Sequence, residues 1–345
     1  MRRLAVRLGL LAVLIGLACL GLRQYGESWL ATPLAGLRQP VVFQLPAGSS
    51  LTAVAESLEK AGWLDRPWIW VRYAKWTGAA THIKAGEYRL EPGTTPAALL
   101  RKFVAGDVLL HTLTIPEGWN FRQALAAIQA NPDVVVEFAG LSPEEIMKRL
   151  GQAGRNPEGL FFPDTYRFPR GTTDRELLQL AQSRLEEELA SAWLKRSRGL
   201  TLPSPYEALI LASLVEKETG EADERPLIAG VFLNRLRIHM RLQTDPSVIY
   251  GIGPTFDGNL RRRDLQTDTP YNSYTRAGLP PTPIALVGRA SLEAAVRPAA
   301  TAALYFVATG KGDGRHYFAN TLSAHNANVA RHLANLRANG GLQVP

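Results

Sequence analysis

What most limits the fold of this chain is its start. An uncharged apolar run extends from Leu8 to Leu22, preceded by Arg2, Arg3 and Arg7 and closed by Arg23. Counted from Leu4, the stretch approaches the roughly 20 residues that a helix needs to cross a bilayer, with Arg7 able to snorkel its guanidinium to the headgroups. Positive charge ahead of such a run holds the N-terminus in the cytoplasm and sends the following chain across. The preferred reading is a retained anchor over residues 1–23. A cleaved export signal, with Gly16-Leu17-Ala18 as its small-x-small site, is the competitor. Acylation at Cys19 is a third reading, weakened by Gly16 where a larger apolar residue is usual. All three carry the rest of the chain out of the cytoplasm, so no nucleic-acid partner is expected. The net charge of +8 points instead to an anionic surface or polymer, and one cysteine excludes a disulfide framework or a cysteine-rich metal site.

At 345 residues the chain exceeds what one compact domain needs, so more than one unit is expected. Residues 24–40 read as a tether. The 18 residues between Leu22 and Val41 allow at most roughly 60 Å of reach at ~3.5 Å per residue. Then one phrase occurs three times: a strand, a glycine turn and a helix. The strands end at Leu45, Leu90 and Ile115, each three positions before Gly48, Gly93 or Gly118, and the capping residues Ser50, Thr95 and Asn120 follow two positions later. Residues 41–128 are therefore expected to form a small α+β module. Trp63, Trp68, Trp70, Tyr73 and Trp76 crowd its first part, where packing is favoured over a sugar-stacking platform.

Residues 129–154 form a connecting segment with a helix start at Ser142-Pro143-Glu144-Glu145. Glu158 to Phe168 is too aromatic and too rich in Pro and Gly for a helix, and reads as a hairpin-like linker. Helices are predicted over about 175–195, 205–219 and 225–238. Loops dense in Gly and Pro reach Pro283, a strand-like run covers Leu304–Ala308, and a closing helix begins near Ser323.

Chemistry concentrates at the end of the second of these helices. Glu216 and Glu218 point in different directions, because one residue advances a helix by about 100°. Glu218 continues the stripe Leu211, Leu214, Val215, whereas Glu216 continues Leu209, Ala212, Ser213. A carboxyl against the bulkier face is desolvated, which raises its pKa and lets it give a proton to a leaving oxygen. The negative end of the helix dipole acts in the same sense. The bland alternative is an exposed acid paired with Lys217 or Arg225. Downstream, Gln243-Thr244-Asp245 and Tyr271-Asn272 offer amides and hydroxyls that can hold sugar groups or simply order their loops. Gly310-Lys311-Gly312-Asp313-Gly314 lacks the spacing of a phosphate loop and reads as a turn. His316 and His325 are not spaced as metal ligands, so no cofactor or metal is expected.

The segments LASLVEKET (211–219), NRLRIHMRLQTDPSVIYG (234–251), TPYNSY (269–274), GLPPTPI (278–284), EGLFFPDTYRF (158–168) and HYFANTLSAHN (316–326) closely resemble the YceG-like family of endolytic murein transglycosylases. His239 stands where that pattern calls for a small residue. The resemblance implies an α+β chain with an N-terminal membrane helix, a LysM-like module, and a mainly helical, lysozyme-like catalytic domain over 155–345 with short strands. It also implies Glu218 as the catalytic acid, in agreement with the helical-face argument. Glu218-Thr219, Gln243 and Tyr271-Asn272 look more loosely like motifs of soluble lytic transglycosylases and goose-type lysozymes. They mark Thr219, Gln243, Tyr271 and Asn272 as expected substrate-binding residues, and Asp245 of the Gln243-Thr244-Asp245 turn is expected beside them. The implied substrate is the peptidoglycan strand, cut with formation of 1,6-anhydro ends, and peptidoglycan synthases are an implied partner. Two alternatives stay open: a hydrolytic muramidase using Asp245 to position water, and a wall-binding scaffold without catalysis.

Overall fold

The computed structural model describes residues 2–339 and divides them into two compact units. The smaller holds the chain up to His111 together with Arg167–Gly171, and the larger holds Thr112–Tyr166 and the residues from Thr172 onward.

The smaller unit begins with helix α1, Arg2–Ala31, whose segment Val6–Ala31 is long and apolar enough to cross a membrane and has none of its most apolar window buried in protein. Strand β1 (Val41–Leu45) leads into α2 (Leu51–Lys60) and α3 (Pro67–Trp76), and β2 (Gly86–Leu90) returns antiparallel to β1 with Val41 opposite Leu90. Helix α4 (Pro96–Ala105) and the start of β3 (Leu110–Thr114) complete it. The core is Leu45, Leu58, Trp70, Tyr88, Leu99 and Phe103, with the Trp70 indole N–H donating to the Pro96 carbonyl at 2.9 Å. The aromatic cluster divides: Trp70 is enclosed, Trp63 and Tyr73 pack against the core, and Trp68 and Trp76 lie 66% and 80% exposed.

The expected tether at 24–40 is not a free one. Helix α1 continues to Ala31, Leu34 and Leu37 are buried in the module core, and the Trp29 indole donates to Asp65 at 2.8 Å. The apolar spacing of Leu30, Leu34 and Leu37 supplies surface worth burying, and that outweighs the Gly and Pro punctuation.

The three strand-turn-helix copies fold alike. Gly48, Gly93 and Gly118 all take positive φ, 76°, 88° and 74°, a left-handed turn that a Cβ would disfavour. Ser50, Thr95 and Asn120 each accept a hydrogen bond from the backbone N–H three residues on. The third copy nevertheless does not join the module. Its helix α5 (Phe121–Ala130) belongs to the larger unit, because Phe121 stacks on Phe161 there at 5.2 Å between centroids.

The larger unit continues through β4 (Val134–Val135), α6 (Pro143–Arg149), the first two residues of β5 (Thr165–Pro169) and β6 (Thr172–Thr173). Residues 158–168 do not make a hairpin: Leu160, Phe161 and Phe162 are buried, and β5 pairs with the distant β3 while β4 pairs parallel with β6. A helical body follows: α7 (Asp174–Leu194), α8 (Pro205–Glu218), α9 (Arg225–Arg237), α10 (Asp245–Ile252), α11 (Arg262–Gln266) and α12 (Arg289–Val296). Strands β7 (Tyr305–Ala308) and β8 (His316–Ala319) form a hairpin around the Gly310–Gly314 turn, and α13 (Leu322–Ala338) closes the chain. Strand β8 was not expected from the sequence. Helix α8 is central: every residue from Ala208 to Val215 is buried, with α7, α9, α10 and α12 around it. The two stripes assigned to Glu216 and Glu218 therefore do not differ in burial, since a helix enclosed on all sides has no solvent face.

Candidate active site

Glu218 is the last residue of α8, where four carbonyls lack intrahelical partners and the helix dipole is negative. Part of the residue stays open to solvent, but its carboxyl is pushed up to about 7, first by desolvation and then by the neighbouring charge of Asp245. A hydrogen bond from the Thr244 hydroxyl and the charge of Arg235 pull the other way without prevailing. Glu216, two residues earlier, is already engaged: its carboxylate accepts the Gly288 N–H at 3.1 Å. What separates the two acids is therefore the partner each finds.

The groups around Glu218 are fixed by a small buried hydroxyl network. Thr244, 2% exposed, donates its N–H to Ser273 Oγ at 2.9 Å and its carbonyl accepts from Ser247 Oγ at 2.8 Å, while the two serine hydroxyls lie 2.8 Å apart. Arg235 comes from α9, where it falls on the buried stripe of Ile228, Val231 and Phe232. Its guanidinium donates to the carbonyls of Leu304 at 2.6 Å and Leu242 at 2.7 Å, so a fixed positive charge faces the acid. An arginine in phase with an apolar stripe was visible in the sequence as a signal; Thr244 and Ser273 were not distinguishable from ordinary loop residues.

The expected substrate-binding residues have different fates. Asp245 is exposed and opens α10, and its Oδ1 accepts the Tyr274 hydroxyl at 2.6 Å. Gln243 is exposed at φ 51°, an uncommon backbone for a residue with a side chain, and its N–H donates to the Ser273 carbonyl at 3.1 Å. His239 has φ 55°, which explains why a small residue suits that position. Tyr271 is half-buried, tilted against Tyr250 at 4.8 Å, with its hydroxyl 2.9 Å from Thr282 Oγ1. Thr219 is buried and its hydroxyl caps the turn by accepting the Glu221 N–H at 3.0 Å.

Asn272 has a clear structural part in its loop. It is fully buried, its amide N–H groups serve the carbonyls of Asp264, Leu265 and Thr267 at 3.1, 3.2 and 2.7 Å, and its Oδ1 accepts the Tyr274 N–H at 2.8 Å. A side chain engaged in this way orders the 264–274 loop. His316 is held by Glu224, Nδ1 to Oε2 at 2.8 Å, and His325 stacks on Tyr305, so both histidines are placed by packing and pairing. Among the described residues no group of three or more His, Cys, Asp or Glu side chains is arranged to hold a metal.

A carboxyl poised near neutrality, oriented by a hydroxyl and faced by a buried arginine, is the equipment of an acid–base enzyme. The YceG-like family model matches residues 43–331. An endolytic murein transglycosylase of Bacillus subtilis strain 168 is 32% identical over 330 residues, covering 90% of this chain and 89% of that protein. One of Streptococcus pneumoniae serotype 2 is 30% identical, over 87% of this chain but 59% of that longer protein. The crystal structure of a yceG-like protein from Listeria monocytogenes aligns with a TM-score of 0.51 at 30% identity, covering 84% of this chain and 99% of that one. The chain belongs to the YceG-like family.

Proposed function

We propose that this protein is an endolytic lytic transglycosylase of peptidoglycan in which Glu218 serves as acid and then as base. The observation that carries the reading is the Glu218 carboxyl at the end of a buried helix, held by the Thr244 hydroxyl and pushed by desolvation up to about 7, in a residue that is itself only half-buried. Near neutral pH such a group is divided between its protonated and ionised forms, so it can both give and take a proton. The protonated acid donates to the oxygen joining N-acetylmuramic acid to N-acetylglucosamine, the C1–O bond breaks, and an oxocarbenium-like centre forms on the muramic ring. The carboxylate then removes the proton of that ring's own 6-hydroxyl as its oxygen bonds to C1, closing the 1,6-anhydro ring and restoring the acid. No water is activated, so one carboxylate suffices where paired-carboxylate glycosidases need two.

Thr219, next to Glu218 in the chain, and Gln243, Asp245 and Tyr271 of the downstream loops are the proposed contacts for sugar hydroxyl and acetamido groups. The βααβ order of the smaller unit supports reading it as LysM-like, with exposed Trp68 and Trp76 available to sugar rings. The largely helical body of the other unit, with the acid ending a central helix, supports a lysozyme-like catalytic domain. The apolar α1, continuous with the module core, fits a single-pass protein of the inner membrane with its C-terminal units in the periplasm. That placement puts the enzyme on nascent strands and makes peptidoglycan synthases plausible neighbours.

Mass analysis of digested sacculi tests the reaction. Wild type is expected to leave anhydro-muramic ends, and Glu218→Gln, at equal membrane level and thermal stability, none. Reducing ends without anhydro products would overturn the transglycosylase in favour of hydrolysis. Undiminished strand cleavage in cells by Glu218→Gln would leave a wall-binding scaffold as the better reading.

A further inference from the structure

The larger unit has a cavity of about 510 Å³ at the other end of α8, bordered by Leu202, Tyr206, Glu207, Leu236, Arg237 and Pro280. Its charges are unspent. Oε2 of Glu207 is enclosed without a hydrogen-bond partner, and Arg237 is exposed with no ion pair among the described residues. Helical phase relates the cavity to the acid. Glu207 and Glu218 are eleven residues apart on α8, which is close to three full turns and about 16 Å, so both carboxylates leave the same face of the helix.

One loop connects the two places. Ser273 fixes Thr244, the partner of Glu218, while Tyr271 bonds Thr282, and Leu279, Pro280 and Pro281 of the same stretch wall the cavity. Tyr206, on the cavity wall, lies in the neighbourhood of Tyr271.

We infer that this cavity seats the peptide borne by the muramic residue of the strand being cut. The inference rests on the reading of Glu218 as a glycan-cleaving acid. A stem peptide with a diamino acid carries an ammonium for Glu207, a carboxylate for Arg237 and an aliphatic middle for Leu202, Leu236 and Leu279. An extended run of four residues spans about 14 Å, which matches the separation along α8. A bare glycan offers no ammonium, and a lipid tail leaves both charges unanswered. The proposal makes the enzyme selective for strands that still carry their peptides.

The test uses the full chain in detergent. Titration with a free synthetic stem peptide measures binding, and kcat/KM is compared on peptide-bearing strands and on strands stripped by an amidase. Glu207→Gln keeps the backbone bond of its N–H to Ser204, and Arg237→Gln alters an exposed residue, so thermal unfolding of both is expected to match wild type. Each is expected to weaken peptide binding about ten-fold, as loss of a charge-assisted hydrogen bond does, and to lower the ratio of kcat/KM on peptide-bearing to stripped strands by a similar factor. Equal activity on both strand types in wild type, or an unchanged ratio in both variants, overturns the proposal. Should wild type cut neither strand type, the reading of Glu218 fails separately, and the peptide titration still decides for or against the cavity.

Discussion

Two corners of the larger unit, one around Glu218 and one around Glu158, hold carboxyls that burial pushes up to about 7, yet their surroundings differ in kind. Glu158 is 5% exposed and accepts the Phe121 N–H at 3.0 Å, taking one of the unpaired donors at the start of α5. Its own N–H is held by Asn156 at 2.9 Å, and Tyr250 supplies a further hydrogen bond. Glu218 stays partly open and meets a hydroxyl instead of the backbone. A raised pKa therefore does not identify a catalytic acid. What distinguishes one is a carboxyl whose protonated and ionised forms can exchange with something outside.

The largest contrast is expected in the rate. Glu218→Gln should lower cleavage by about a thousand-fold, within the range for loss of a general acid, and should not lower the melting temperature, because an uncharged amide replaces a desolvated acid. Glu158→Gln should leave the rate within a few-fold of wild type under the same assay. A comparable loss in both variants would remove the distinction between the two corners.

Stability should show the reverse ranking. Glu158→Ala leaves the Phe121 N–H buried without an acceptor and is expected to cost about 1–3 kcal/mol in denaturant unfolding. The pH dependence follows from the raised values. The folded carboxyls titrate near 7 and the unfolded ones near 4.5, so between these pH values the folded chain binds more protons than the unfolded chain. The contribution is fully present below about 4.5 and is lost as pH rises to about 7. Glu158→Gln should flatten the slope of stability across that window, as chemical denaturation at a series of pH values would show.

The three glycine turns and their caps were legible in the sequence, because these depend on local spacing: Ser50, Thr95 and Asn120 each cap the helix that the spacing assigned to them. The sequence did not carry the partners that choose between Glu216 and Glu218, because Gly288 and Thr244 lie 72 and 26 residues away and meet them only in the folded chain. The loop-ordering bonds of Asn272 were out of sight for the same reason. An amide followed by Ser-Tyr in a loop gives no sign of how many carbonyls surround it. Helix α1 shows the opposite limit: its apolar run was plain, but its continuation into the core through Leu34 and Leu37 depended on surfaces elsewhere in the module.

Thr244→Val sharpens the picture of the Glu218 corner. The hydroxyl is the first influence that lowers the acid's pKa, so removing it should raise that pKa further. The alkaline limb of the rate profile, where the acid loses its proton, should move up by about one pH unit, with a smaller fall in the maximum rate. An unmoved limb would mean that another group sets it.

The smallest effect is expected at Asp245. Its negative charge contributes to the raised value of Glu218, but after desolvation, and its carboxylate is exposed and bonded by the Tyr274 hydroxyl at 2.6 Å. Removing that charge with Asp245→Asn should let Glu218 ionise more easily, moving the alkaline limb down by roughly half a pH unit. The Tyr274 contact can persist, because an amide oxygen also accepts a hydroxyl, so stability should change little. The products are the sharper readout. If Asp245 only adjusts the field around Glu218, the variant makes the same anhydro ends as wild type in mass analysis, at a slightly altered rate. If instead it positions a water, any reducing ends made by wild type should vanish in the variant while anhydro ends rise, and the single-carboxylate mechanism would need a second group.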